Sequence, residues 1–242
     1  MDHSVRWFQQ SNPPLYLKNW LSGFTYRGEY LTDSRTLYLK YDKCQSDAGL
    51  PFQYLSSVIL NFIPSGIVRH FVIDLRNNSG GNSSVLSPLI VGLQRDAALG
   101  LINPSTDLSV VIGRQTFSSG MDNALDLKSI SAKLVGEPTG GKPNGYGEVQ
   151  TFTLPRSGLM VRYSTKYFYL TAGDPPSVMP DLAAATSSKD YFQGRDPALD
   201  SILHGAPTTS SSAGFVLYQN GGLSQATVNQ NPSTAVGYGV FF

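Results

Sequence analysis

Two short apolar runs, Phe71-Val72-Ile73-Asp74-Leu75 and Leu108 to Ile112, constrain this chain more than any other feature. A near-continuous apolar run of this length reads as a strand covered on both faces, as in parallel sheets with helices on either side. Each run is followed by small polar residues and glycines, and then by apolar residues at helical spacing. After Asn78-Ser79-Gly80-Gly81-Asn82 come Leu86, Leu89, Ile90 and Leu93 on one stripe, and Ser118 opens a helix over Met121 to Ile130. Leu37 to Tyr41 and Lys133 to Val135 read as further strands, as do Glu148 to Leu154 and Leu159 to Tyr163. Gln53 to Phe62 fits an amphipathic helix through Leu55, Val58, Ile59 and Phe62. The pattern is α/β, with helices crossing over parallel strands.

The 242 residues suffice for one large domain, and an apolar content of 40% excludes global disorder. Lys and Arg total 18 against 17 Asp and Glu, so there is neither a basic footprint for nucleic acid nor a polybasic membrane anchor. The single cysteine, Cys44, excludes an intramolecular disulfide and a multi-cysteine zinc site. No secretory signal opens the chain, and no apolar stretch approaches the roughly 20 residues of a membrane span. No Asp, Glu, Lys or Arg follows Asp200. We therefore expect a lead-in segment over 1–36, a core over 37–205 and a short uncharged β-rich tail over 206–242; the missing signal has a second reading, a chain that begins in mid-protein, which makes 1–36 the remnant of a longer protein.

The strand-to-helix turns hold the residues that could do chemistry, because ligands of α/β sheets sit at the carboxyl ends of strands. Paired glycines such as Gly80-Gly81 leave backbone N–H groups approachable and can form an anion site at a helix start, although alone they are more often a tight turn. Ser118 and Ser119 follow the Leu108 to Ile112 strand, where a hydroxyl could project; a serine there is commonly a helix N-cap. The Gly-x-Ser-x-Gly elbow is absent, so a serine nucleophile needs another activating base. Lys142, in Gly136-Glu137-Pro138-Thr139-Gly140-Gly141-Lys142-Pro143, is the candidate; its default reading is a solvated lysine. That segment nearly matches a phosphate-binding loop, but Pro143 stands where a hydroxyl would hold magnesium, and turn formers follow in place of a helix. His3, His70 and His204 share no metal-ligand spacing with each other or with Cys44, and no metal or cofactor is expected.

Taken together, these segments resemble the catalytic core of the tail-specific, or C-terminal processing, serine proteases. Val72 to Gly81 is similar to that family's D-L-R-x-N-x-G-G. Phe117-Ser118-Ser119-Gly120-Met121 resembles its F-S-A-A-E, with Met121 in place of the acid. Leu134 to Lys142 resembles V-G-E-x-T-x-G-K, and Val178-Met179-Pro180-Asp181 the closing G-V-x-P-D. The resemblance implies a ClpP/crotonase-like core of repeated ββα units and a serine endopeptidase acting on polypeptide substrates. It implies Ser118 as nucleophile and Lys142 as general base. The N–H of Ser119 with that of Gly80 or Gly81 would form the oxyanion hole. Gln150 resembles a glutamine that orients the lysine in some members. Asp174 stands where relatives with a Ser-His-acid arrangement carry their acid. An extracytoplasmic location is implied in the same way. The alternatives are a catalytically inactive ligand- or peptide-binding module of the same fold, as in retinoid-binding relatives, and an acyl-coenzyme A enzyme of the wider superfamily.

Overall fold

The structure is a computed structural model describing residues 13–18, 25–205, 215–219 and 222–226. The chain divides into two compact units, Met1–Ala206 and Pro207–Phe242. In the second unit β9 and β10 (the last strands, Phe215–Gln219 and Gly222–Ala226) pair as an antiparallel hairpin. The remainder of the predicted tail, including most of the apolar patch Gln225 to Val240, lies outside the described residues.

The first unit is built on a six-stranded sheet. In chain order its strands are β1 (Tyr26–Leu31), β2 (Thr36–Tyr41), β3 (His70–Asp74), β4 (Leu108–Ile112), β5 (Lys133–Gly136) and β8 (Leu182–Ala183). They lie side by side in that same order; β1 runs antiparallel to β2, and every other pair is parallel. The crossovers carry α1 (Phe52–Phe62), α2 (Ser87–Ala98) with the single turn α3 (Pro104–Asp107), and α4 (Ser119–Ser129). One ββα unit, β1–β2–α1, opens the sheet; thereafter one strand alternates with one helix, a simpler repeat than the ββα series expected from the resemblance. β1 lies within the segment read as lead-in, which had no strand assigned to it.

Alternation of side chains across the pleat explains the continuous apolar runs. Phe71, Ile73 and Leu75 face one layer, together with Leu108, Val110, Ile112 and the buried residues of α1, α2 and α4. Val72, Val111 and Val135 face the other, against Ala198 and Leu199 of α6 (Pro197–His204). Both faces are thus covered, as the run length demanded. The predicted stripe Leu86, Leu89, Ile90 and Leu93 is buried throughout, each side chain contributing about 1.5–3 kcal/mol.

The strands predicted near Glu148 and Leu159 exist, but they do not join the sheet. They form a separate antiparallel ribbon of β6 (Gly145–Thr153) and β7 (Met160–Phe168). Its rings pair edge-on, Tyr146 with Tyr167 and Phe152 with Tyr163, and all four are largely exposed. Between β8 and α6 lies the short helix α5 (Ser188–Phe192), whose Ser187 and Asp190 form a reciprocal capping box.

Candidate active site

Parallel strands bring their carboxyl ends to one edge, so the segments after β2, β3, β4 and β5 meet there. Hydrogen bonds lock the meeting. Thr116, fully buried, donates its hydroxyl to Leu75 O (2.8 Å) and accepts from the Gly113 N–H (2.9 Å). The Phe117 N–H donates to Asn78 O (2.9 Å), and the Gly140 N–H to Thr116 O (3.1 Å). Thr139 exchanges bonds with Val178, the backbone pair at 3.1 Å and the Val178 N–H to Thr139 Oγ1 at 2.9 Å. Three of the four segments that carry the family-like motifs are therefore cross-linked around the end of β4, with Val178 of the fourth attached to them.

Ser118 sits at the centre of this edge, immediately before α4, with φ +51° and ψ −131°. A non-glycine residue there holds a strained backbone conformation, worth on the order of 1–3 kcal/mol, which persists only where surrounding structure over-determines it. Ser118 occupies the N-cap position of α4, yet its hydroxyl makes no capping bond. It is exposed, without a hydrogen-bond partner among the described residues. The default reading of this serine as a helix cap is thereby removed.

Gly80 presses against it. A Cβ on Gly80 would lie 2.8 Å from Ser118 Cβ and 3.2 Å from Ser119 N, and Gly80 itself adopts φ +104°. Beyond it, Gly81 runs alongside Cys44 as an isolated parallel bridge. The Cys44 N–H donates to Gly80 O (3.0 Å) and the Asn82 N–H to Cys44 O (2.7 Å). On the opposite side, Ser119 Oγ donates to Gly81 O (2.8 Å). The Gly80 C=O points at the Cys44 N–H, and across a planar trans peptide the Gly81 N–H points the opposite way. The Gly81 N–H therefore faces the serine segment, where the Ser119 N–H, first in α4, also lacks an intrahelical acceptor. The Gly80 N–H is already committed, donating to Asn78 Oδ1 at 2.9 Å.

Lys142 is half-exposed, and its Nζ donates to Asp174 Oδ2 at 2.6 Å. The pairing is set from below by buried Asn144. Its Nδ2 donates to Thr171 O (2.9 Å) and Gly173 O (2.6 Å), while Oδ1 accepts from the Leu170 and Thr171 N–H groups. No hydrogen bond joins Lys142 to Ser118 among the described residues. Gln150 lies on β6 opposite Tyr163, exposed and without a bond to Lys142. His70 begins β3, at the opposite end of the sheet from Ser118; His204 closes α6, and His3 lies outside the described residues.

The charges of Asp74-Leu75-Arg76 turn inward. Tyr38 donates to Asp74 (2.5 Å), and Arg76 bonds Asp74 and, through two nitrogens, Asp196 at 2.8 and 2.9 Å. Burial alone would raise the Asp74 carboxyl, but the adjacent Arg76 and Lys40 charges outweigh it and hold it below the usual range. The Arg76–Asp196 bonds tie the sheet to the start of α6. Burial likewise pushes the Cys44 thiol up to about 11, so it is a neutral thiol lodged between Asn78 and Asn123.

Sequence reasoning gave no role to Asn78, Thr116, Thr139 or Asn144, since buried polar side chains that serve backbone groups have no spacing of their own. Among the described residues no cluster of His, Cys, Asp and Glu could hold a metal, and no helix is long and apolar enough to cross a membrane. A cleft of about 590 Å³ opens at the same sheet edge, between Arg76, Gln115, Glu137 and Ser188.

No protein-family model matches the sequence, and no curated protein does. Solved structures share the fold. A candidate peptidase from Parabacteroides merdae is 18% identical with a TM-score of 0.50, over 81% of this chain and 72% of that one. A lipoprotein from Streptococcus agalactiae is 19% identical with a TM-score of 0.42, over 72% and 68%. The photosystem II D1 C-terminal processing protease is 21% identical with a TM-score of 0.44, over 67% and 47%, so the chain spans about half its length. What the chain shares with the Parabacteroides merdae structure is a mixed α/β fold on a mostly parallel sheet.

Proposed function

We propose that the chain is a serine peptidase of the tail-specific protease type, with Ser118 as nucleophile and Lys142 as general base. The observation that carries the reading is Ser118 itself: a strained backbone, an exposed hydroxyl without a partner, and beside it two N–H groups, of Gly81 and Ser119, with no acceptor among the described residues. The motif resemblance and the shared fold with peptidase structures support it. The ClpP/crotonase kinship, a polypeptide substrate, the division at 36 and 205, and an extracytoplasmic location belong to the same proposal.

In this mechanism Ser118 Oγ attacks a peptide carbonyl carbon while its proton passes to neutral Lys142. The carbonyl electrons collect on an oxyanion held by the Ser119 and Gly81 N–H groups. Such a donor contributes about 2.7–4 kcal/mol in known oxyanion holes. Lys142 returns the proton to the leaving amine, the C–N bond breaks, and water hydrolyses the acyl-enzyme. An ion-paired ammonium has no lone pair, so Lys142 must part from Asp174 and give up one proton to solvent before it can accept the proton of Ser118. Gln150 would orient the lysine only after the ribbon has shifted toward it. Gly80, whose N–H is occupied, acts by seating the serine. Asp174 is the resting partner of the base. Hydrolysis of denatured casein by the wild type, abolished in Ser118→Ala, is the expected result; undiminished hydrolysis in that variant would refute the proposal.

A further inference from the structure

We infer that Asn78 is a positioning residue for the oxyanion hole, an inference that rests on the serine peptidase reading and deepens it. Asn78 is fully buried, and among the described residues no hydrogen bond joins it to Ser118 Oγ, so its role would be exercised through the backbone. Its Nδ2 donates to Tyr41 O (2.9 Å), anchoring it to the end of β2. Its Oδ1 accepts from the Gly80 N–H (2.9 Å) and from the Cys44 thiol (3.4 Å). Its backbone oxygen accepts from the Phe117 N–H (2.9 Å), one residue before the nucleophile. The start of α4 rests on it as well: a Cβ on Gly120 would lie 2.8 Å from both Asn78 O and Asn78 Oδ1. One residue thus joins β2, the glycine turn and the serine segment.

The consequence follows from peptide planarity. With the Gly80 N–H held by Asn78 and the Gly80 C=O held by the Cys44 N–H, the orientation of the turn is fixed at two points. The Gly81 N–H, across a trans peptide from that carbonyl, must then point away from Cys44 and toward the serine side. Only a side chain with an acceptor and a donor in one plane can hold Gly80 and Tyr41 together. Alanine offers neither. A charged aspartate offers acceptors alone and sets a carboxylate against the Tyr41 carbonyl.

Phosphonylation by a fluorophosphonate tests this directly. Ser118 Oγ bonds to phosphorus, fluoride leaves, the serine proton passes to the base, and negative charge grows on the phosphoryl oxygen in the oxyanion hole. Asn78→Ala is expected to lower the maximal labelling rate by about 100-fold, the low end of losing an oxyanion donor, with the half-saturating probe concentration within about threefold of wild type. Asn78→Asp is expected to be similarly slow at pH 8. Relative to wild type at the same pH, it should recover as pH falls toward 5, where a protonated carboxyl again offers one acceptor and one donor. Should the alanine variant fail to fold, the aspartate variant decides alone. Wild-type rates in either folded variant at pH 8, or an aspartate-to-wild-type ratio that does not change with pH, would overturn the inference. If wild type itself is not labelled, the peptidase reading fails; if wild type is labelled and the variants match it, only the role of Asn78 does.

Discussion

Replacing Gly80 by alanine puts the closest contact of the site under a measurable load. The new Cβ would stand 2.8 Å from Ser118 Cβ and 3.1 Å from Phe117 O, against ordinary contact beginning at 3.4 Å. The serine segment must therefore retreat by about 0.6 Å, or the turn must, since neither neighbour is the loose end of a long side chain. Residence at φ +104° adds backbone strain of about 1–3 kcal/mol, and overpacking about as much again, for a total of roughly 2–6 kcal/mol. A displacement of 1 Å in a reacting group can reduce a rate about 100-fold, so a loss of tenfold or more in Ser118 phosphonylation is expected. Gly100→Ala is the control. It has φ +70° and nothing within 4 Å of the added Cβ, so it isolates strain from collision. We expect it to lose about 1 kcal/mol in urea unfolding and no labelling rate. A folded Gly80→Ala protein that is labelled at the wild-type rate would refute the argument that Gly80 seats the serine.

Other perturbations separate support from chemistry. Asp196→Ala strands one face of the buried Arg76 guanidinium and removes the cap that accepts the Leu199 N–H, so urea unfolding should report a loss of about 3–5 kcal/mol. A loss below about 1 kcal/mol would contradict the cross-link. Asp122, in the first turn of α4, has its carboxyl raised to about 6, chiefly by burial and secondarily by Asp126. A carboxyl raised on folding binds its proton more tightly in the native state, so stability declines as pH rises from about 4 to 6. Asp122→Asn should accordingly melt higher than wild type above pH 6 and equally below pH 4; the reverse order would show the sign to be wrong. Asp174→Asn frees Lys142 from its resting ion pair, and Ser118 labelling at pH 7 should rise about two- to fivefold, the equilibrium worth of an exposed pair. An unchanged rate would mean that this pair does not restrain the base.

Much of the framework was legible because it depends on local pattern. The doubly covered strands β3 and β4 announce themselves by uninterrupted apolar residues, and α2 by its stripe. Ser118 was legible as a position, between a buried strand and a helix start, though its positive φ and missing cap were not. The ribbon shows where pattern ends. Glu148 to Leu154 reads correctly as strand, but alternation does not say which sheet a strand joins, and here Asn144 clasps the base of the ribbon away from the main sheet. Pairings such as Lys142 with Asp174 or Arg76 with Asp196 join residues far apart in the chain, and no spacing rule reaches them. Asn78 illustrates the same limit: its motif position was visible, its bonds to Tyr41 and Gly80 were not. The strand β1 went unread because Tyr26 to Leu31 is interrupted by Arg27, Gly28 and Glu29, and only pairing with β2 organises it.

The most direct measurement is fluorophosphonate labelling of the folded chain, with the modified residue located by peptide mass spectrometry in wild type, Ser118→Ala and Lys142→Ala. The proposed mechanism predicts one modified residue, Ser118, with labelling abolished by the first substitution and strongly slowed by the second. A folded wild type that takes no label, or label at Ser118 that is indifferent to Lys142, would contradict it.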